Sequence, residues 1–252
     1  MTEAATGLSL LEARGIFKRW GAVVVADGID LHVAAGSIVG VIGPNGAGKT
    51  TLLDILGGDL RPDAGRILLD GHDISRAKAS RRARLGIGRT YQIPRPFAGL
   101  TVFENALVAV QQAGGHRGAD SHDRAAQAIR RCGLASRVNV AGADLRLLDR
   151  KRLELARAVA AGPSLVLLDE VAGGLTEAEV GELTDIVISL REEGMTFLWV
   201  EHVVRALTAT ADRIVCVSGG RVIAEGVPHD VLSDPVVVES YFGSPAFFGA
   251  AS

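Results

Sequence analysis

Apolar and polar positions alternate in pieces through LSLLEARGIFKRWGAVVVADGIDLHVAAGS, residues 8–37. A period of two marks half-buried strands. Glycines at 15, 21, 28 and 36 interrupt it, so the pattern predicts short antiparallel strands. SIVGVIG, residues 37–43, is instead a continuous apolar run that ends at glycine, as buried central strands do. KTTLLDILGG then predicts a helix closed by Gly57 and Gly58, and GRILLDGHDI a strand with an Asp70–Gly71 turn. Residues 98–160 are rich in alanine and arginine at helical spacing, with the loop AGGHRGADSH inside, and predict a separate helical insert. The buried-strand pattern returns in SLVLLDE, MTFLWVEH and DRIVCVSGGRVIAEG, with a helix between the first two. Such alternation of strand and helix predicts an α/β fold with a mostly parallel sheet flanked by helices. The tail GSPAFFGAAS has no periodicity, and no internal repeat is present.

Composition adds limits. The chain has 252 residues, enough for a full core, with 48% apolar and 22% charged residues and a net charge of −2. Near-neutrality without a Lys/Arg block argues against a nucleic-acid partner. Cys132 and Cys216 match no metal spacing and are expected to be two buried free thiols, consistent with a reducing cytoplasm. MTEAATGLSLLEARG carries early acids and no long apolar run, so a signal peptide is not expected. No stretch is apolar over the length of a membrane span, so work at a membrane would need a partner.

Two motifs carry chemistry. Gly43-Pro44-Asn45-Gly46-Ala47-Gly48-Lys49-Thr50 fits G-x-x-x-x-G-K-[ST], after a buried strand and at the start of a helix. Glycines let backbone N–H groups close around phosphate oxygens, and the helix offers its positive dipole end. Lys49 would neutralise the β and γ phosphates, and the Thr50 hydroxyl would ligate Mg²⁺. LVLLDE places Asp169 at a buried strand end, suited to hold hydrated Mg²⁺. Glu170 follows, where a carboxylate can orient or deprotonate an attacking water.

Carrying these motifs, the chain resembles the ATPase subunit of an ABC transporter over nearly its whole length. The resemblance implies a P-loop ABC-ATPase fold: a nucleotide-binding core with an antiparallel β subdomain from residues 1–92 and 164–252, and a helical subdomain at 93–163. It implies ATP and Mg²⁺ as cofactors. Gly43, Asn45, Gly46, Ala47, Gly48, Lys49, Thr50 and Thr51 match the nucleotide loop, and Leu165–Glu170 match the strand with the catalytic glutamate. Gln92, in RTYQIPRPF, resembles the glutamine that senses Mg²⁺ and γ-phosphate. His202, in WVEHVV, resembles the histidine that contacts γ-phosphate and positions water, and Trp20 the aromatic ring that stacks on adenine. Within the family, RTYQIPRPFAGLTVFENALVA and KRLELARAVAAGPSLVLLDEVAGGLT are similar to branched-chain amino acid importer ATPases. That implies a peripheral position on the cytoplasmic membrane face, two permease subunits and a solute-binding protein. Ile93–Phe97 would then face the permease, Pro94, Pro96 and Phe97 forming a stiff apolar projection. Lipopolysaccharide export and a soluble P-loop kinase or regulatory ATPase are the alternatives.

Two departures matter. The family signature Leu-Ser-Gly-Gly-Gln is replaced by Leu145-Arg146-Leu147-Leu148-Asp149, and Thr176 stands where Asp or Asn is commoner. In the family this strip contacts the ATP held by a facing second subunit. Leu147 and Leu148 would block close backbone approach, and Asp149 would add negative charge; Arg146 either leaves the strip inert or rescues it by pairing with phosphate. The expectation is a non-identical ATPase partner and one weak site.

Overall fold

The structure is a computed structural model and describes residues 9–242. In chain order the elements are β1 (Ser9–Trp20), β2 (Val23–Ala34), β3 (Ile38–Ile42), α1 (Lys49–Gly57), β4 (Ala64–Leu69), β5 (His72–Asp73), α2 (Ala79–Arg84) and β6 (Ile87–Arg89). They continue through α3 (Val102–Gln112), α4 (Gly118–Arg131), α5 (Leu147–Val159), β7 (Leu165–Asp169), α6 (Glu177–Glu192) and β8 (Thr196–Val200). The last are α7 (Val204–Thr208), β9 (Arg213–Ser218), β10 (Arg221–Gly226), α8 (Pro228–Ser233) and α9 (Pro235–Phe242).

Two sheets form, ordered β2-β1-β4-β5 and β10-β9-β3-β8-β7-β6. The first is antiparallel. In the second, β6, β7, β8, β3 and β9 are parallel, and β10 turns back along β9. The period of two of a strand sends alternate residues of β7 to opposite faces. Leu165 and Leu167 join the core with α1 and the antiparallel sheet, while Val166 and Leu168 join the core with α3, α5 and α6. Each fully buried leucine contributes about 1.5–3 kcal/mol. Both cysteines are buried and free, as expected.

Several expectations need correction. The glycines at 15 and 28 do not cut the N-terminal pattern into short strands. They lie inside two 12-residue strands, where Gly15 falls in a register shift between Ala13 and Ile16 that absorbs the break as a bulge. The second half of AGGHRGADSH is helix, because α4 begins at Gly118, where Asp120 favours the first turn and Ser121 hydrogen-bonds the Gly118 carbonyl. DRIVCVSGGRVIAEG is an antiparallel hairpin about Gly219 and Gly220. The tail GSPAFFGAAS and the first eight residues lie outside the described residues. Among the described residues, no helix is long and apolar enough to cross a membrane.

Candidate nucleotide-binding site

The parallel strands place the sequence-predicted residues other than Trp20 at their C-terminal ends, where open α/β sheets bind ligands. The loop 43–48 joins β3 to α1. A Cβ on Gly43 would lie 2.0 Å from the Val217 carbonyl oxygen, and one on Gly48, at φ 96°, 2.3 Å from that of Val25. Both positions therefore require glycine. Asn45 through Thr51 line a cavity of about 310 Å³ together with Val25 and Glu170. Among the described residues, no side chain caps α1, so its first N–H groups are available to an anion. Lys49 is buried, and its Nζ donates to the carbonyls of Gly43 (2.7 Å) and Pro44 (3.1 Å). Burial pulls its pKa below the ordinary lysine value, opposed by the charges of Glu170 and Asp169. Gly43 N–H itself donates to the Tyr241 hydroxyl of α9 at 2.5 Å.

Asp169 ends β7 and is 2% exposed. Among the described residues its buried Oδ1 has no hydrogen-bond partner, and its Oδ2 lies 3.8 Å from Arg89. Burial pushes its pKa up to about 6, against the pull of Arg89. Arg89 is itself gripped by Asp54 at 2.5 Å and Asp59 at 2.6 Å. Thr50, Gln92 and Asp169 line one cavity of about 530 Å³. An unsatisfied carboxylate oxygen beside a hydroxyl and an amide oxygen is the hard-oxygen donor set that Mg²⁺ prefers, so these residues fit the ion.

Glu170 occupies the left-handed region at φ 45°, a strained state for a non-glycine residue that neighbouring contacts must hold. Its Oε2 accepts a hydrogen bond from Gln92 Nε2 at 2.7 Å and lies 3.5 Å from His202 Nδ1. Gln92, Glu170 and His202, 110 positions apart from first to last, thus meet at one carboxylate. Trp20 is 55% exposed at the end of β1, with the Lys18 ammonium 4.9 Å from its ring, so it is not a core residue. It does not line either of the two cavities.

Sequence reasoning missed Arg89, Lys151 and Glu201. Glu201 is fully buried, and its Oε1 accepts from the Ala172 N–H (2.7 Å) and Trp199 Nε1 (3.1 Å), fastening the loop after β7 to the end of β8. Burial raises its pKa. Its position beside His202 was the only available signal.

The departing strip forms the N-terminus of α5. Arg146 is the N-cap, exposed and making no capping bond. Leu147 is 43% exposed and leans toward Gly174, whereas Leu148 is half-buried. The Asp149 carboxylate lies 3.4 Å from Arg137 and 3.6 Å from Arg152, in a first helical turn that favours an acid. Thr176 caps α6 in a capping box with Glu179, which is a local reason for threonine there.

Comparison with known proteins decides the family. The ABC transporter family model matches residues 26–173, well over half of the chain. The chain belongs to the ABC transporter ATP-binding family. A model described as branched-chain amino acid ATP-binding cassette transporter matches residues 221–246 of this ABC cassette. The cassette is 35% identical over 249 residues to the high-affinity branched-chain amino acid transport ATP-binding protein LivG of Escherichia coli (strain K12), covering 93% of this chain and 98% of that one. It is 34% identical to the lipopolysaccharide export system ATP-binding protein LptB of Haemophilus influenzae, covering 94% and 98%. Among solved structures it resembles a nucleotide-free ATP-binding cassette from an ABC transporter, with TM-score 0.85, 28% identity and coverage of 94% and 100%. The ABC cassette is an ATPase subunit that uses ATP, its family works with membrane permease subunits, and the kinase alternative does not stand.

Proposed function

We propose that this cassette hydrolyses MgATP to drive import of branched-chain amino acids or related small solutes, bound to permease subunits on the cytoplasmic membrane face. The observation that carries the hydrolytic part is the meeting of Gln92 and His202 at the Glu170 carboxylate beside the Lys49 loop. Lys49 exchanges its loop carbonyls for the β and γ phosphates, and Asn45–Thr51 supply backbone N–H donors. Trp20 stacks on the adenine. Thr50, Asp169 and Gln92 would hold Mg²⁺, which would supply positive charge against the phosphates. Glu170 orients and deprotonates the attacking water, and His202 steadies it against the γ-phosphate. Core residues 1–92 and 164–252 carry this machinery, and residues 93–163 form the subdomain that meets the permease through Ile93–Phe97. Ile93 is 73% exposed and Phe97 45% exposed, as such a contact requires.

Import is supported by the match at 221–246 and by LivG, together with BraF of Pseudomonas aeruginosa at 32% identity. The similarity to LptB keeps lipopolysaccharide export as the second reading. A solute-binding protein belongs to the first reading only. Purification of the complex through a tag on this chain, followed by labelled leucine, isoleucine and valine uptake in a deletion strain, separates them. Loss of uptake supports import, and unchanged uptake with mislocalised lipopolysaccharide overturns it. Lys49→Ala in that complex should lose nucleotide binding or turnover severely, since a charge-assisted contact is removed; unchanged affinity and hydrolysis would reject the site.

A further inference from the structure

Lys151 lies one turn into α5, on the face it shares with Leu147 four residues earlier. That face looks onto the loop that follows β7. Leu147 leans toward Gly174, and the Lys151 ammonium donates to the carbonyl oxygens of Glu170 (3.3 Å) and Gln92 (2.9 Å). Lys151 is 3% exposed, so water does not compete freely for these bonds. A buried ammonium without partners would be costly, and two carbonyls together with nearby carboxylates offset that cost. Burial lowers its pKa, while Glu201, Glu170, Asp169 and Glu154 raise it.

The two carbonyls belong to consequential residues. Gln92 lies just before the 93–163 segment, and Glu170 holds its left-handed backbone at φ 45°. The Glu170 carbonyl has a second donor, the Gly173 N–H at 3.2 Å, and its own N–H is held by the Val200 carbonyl at 2.9 Å. Such a strained conformation persists only where the surroundings over-determine it. Lys151 is the one of these donors that arrives from α5, the helix whose N-terminus carries the 145–149 strip.

We propose that Lys151 is a positioning residue for ATP hydrolysis, tying the strip-bearing helix to the backbones of Gln92 and Glu170 so that movement of α5 resets the aim of the Glu170 carboxylate. The inference rests on the reading of Glu170 as the residue that handles water. Lys151 touches neither phosphate nor water in this role, so its loss should act on turnover and spare ATP binding.

The test uses the full chain in its transporter complex, with K151M, the milder K151Q, and E170Q as control. Expected for K151M is a kcat lowered tenfold or more, with KM for ATP within twofold of wild type and an intermediate kcat for K151Q. Hydrogen exchange on the full chain should show protection lost selectively in peptides spanning 170–174 and 91–93, with β8 unchanged. A wild-type kcat in K151M, with E170Q inactive, overturns the proposal alone. A kcat loss accompanied by a raised KM and general loss of protection, or failure of both Lys151 variants to fold, assigns a merely structural role and also overturns it. Wild-type turnover in E170Q instead removes the underlying reading of Glu170.

Discussion

At the scale of single residues, the site is a set of carboxylates in unequal environments. Glu170 is within reach of two side-chain partners, whereas Asp169 is sealed in with one oxygen unpaired among the described residues. Glu170→Gln keeps the shape and the bond to Gln92 but cannot take a proton, so ATP should stay bound while hydrolysis stops. Turnover at the wild-type rate in the assembled complex would exclude Glu170 as the base. Asp169 sets a pH dependence. Its folded pKa, about 6, lies above the ordinary 3.8, so between those values the folded chain holds a proton that the unfolded chain has released. The contribution to stability therefore falls as pH rises through that window. Mg²⁺ needs the ionised form, so the gain in ATP affinity on adding Mg²⁺ should shrink as pH drops below about 6. A gain that stays constant across that range in equilibrium binding would show that Asp169 is not the ligand.

At the scale of elements, legibility followed local periodicity. β3, β7 and β8 were readable because their runs are buried on both faces, and α1 because Gly58 closes it in the left-handed region. The helices α2, α7, α8 and α9 were not read, being eight residues or fewer, too short for a 3.6-residue period to show. Glu170 was singled out by its place after the buried run, and Gln92 and His202 through the family resemblance; the structure brings the two to its carboxylate. Arg89, Lys151 and Glu201 were not singled out, because their partners are backbone carbonyls, amides and acids brought in by folding, which no spacing encodes. Thr176 is an element-scale case. Its hydroxyl accepts from the Glu179 N–H while Glu179 returns a bond to the Thr176 N–H. Thr176→Ala should lower stability by about 1 kcal/mol in denaturant unfolding, and Thr176→Asp should restore most of it. A stability unchanged in both would deny the cap its role.

At the scale of the whole molecule, the nucleotide face and the 145–149 face are unequal. Lys49 and Glu170 line one cavity beside Asp169 at the end of β7, whereas Leu147, at the start of α5, is 43% exposed. If the strip meets a facing subunit's phosphate, as the family resemblance implies, the Leu147 side chain would obstruct it, while Arg137 and Arg152 partly offset the charge of Asp149. In an assembled transporter, hydrolysis should occur mainly at the site pairing this chain's Lys49 and Glu170 with a partner's signature strip. The other site should be slower by roughly a hundredfold or more, the effect of one missing preorganised donor. Site-specific Glu→Gln changes read out by ATPase rate would check this, and an Arg146→Ala chain whose opposite site stops hydrolysing would show Arg146 to be a working phosphate ligand instead. The sheet order carries one more consequence, for the chain as it is made. β3, which leads into the phosphate loop, is complete at residue 42, yet its neighbours are β8 and β9, which begin at residues 196 and 213. The acceptor for Gly43 N–H comes 198 positions after it. At about 5–20 residues per second on the ribosome, the apolar strand waits roughly 8–31 seconds for its first sheet neighbour, and the Gly43 N–H roughly 10–40 seconds for Tyr241. A nascent chain stalled before β8 should therefore fail to bind ATP and should recruit chaperones through β3, while one released past α9 should do neither.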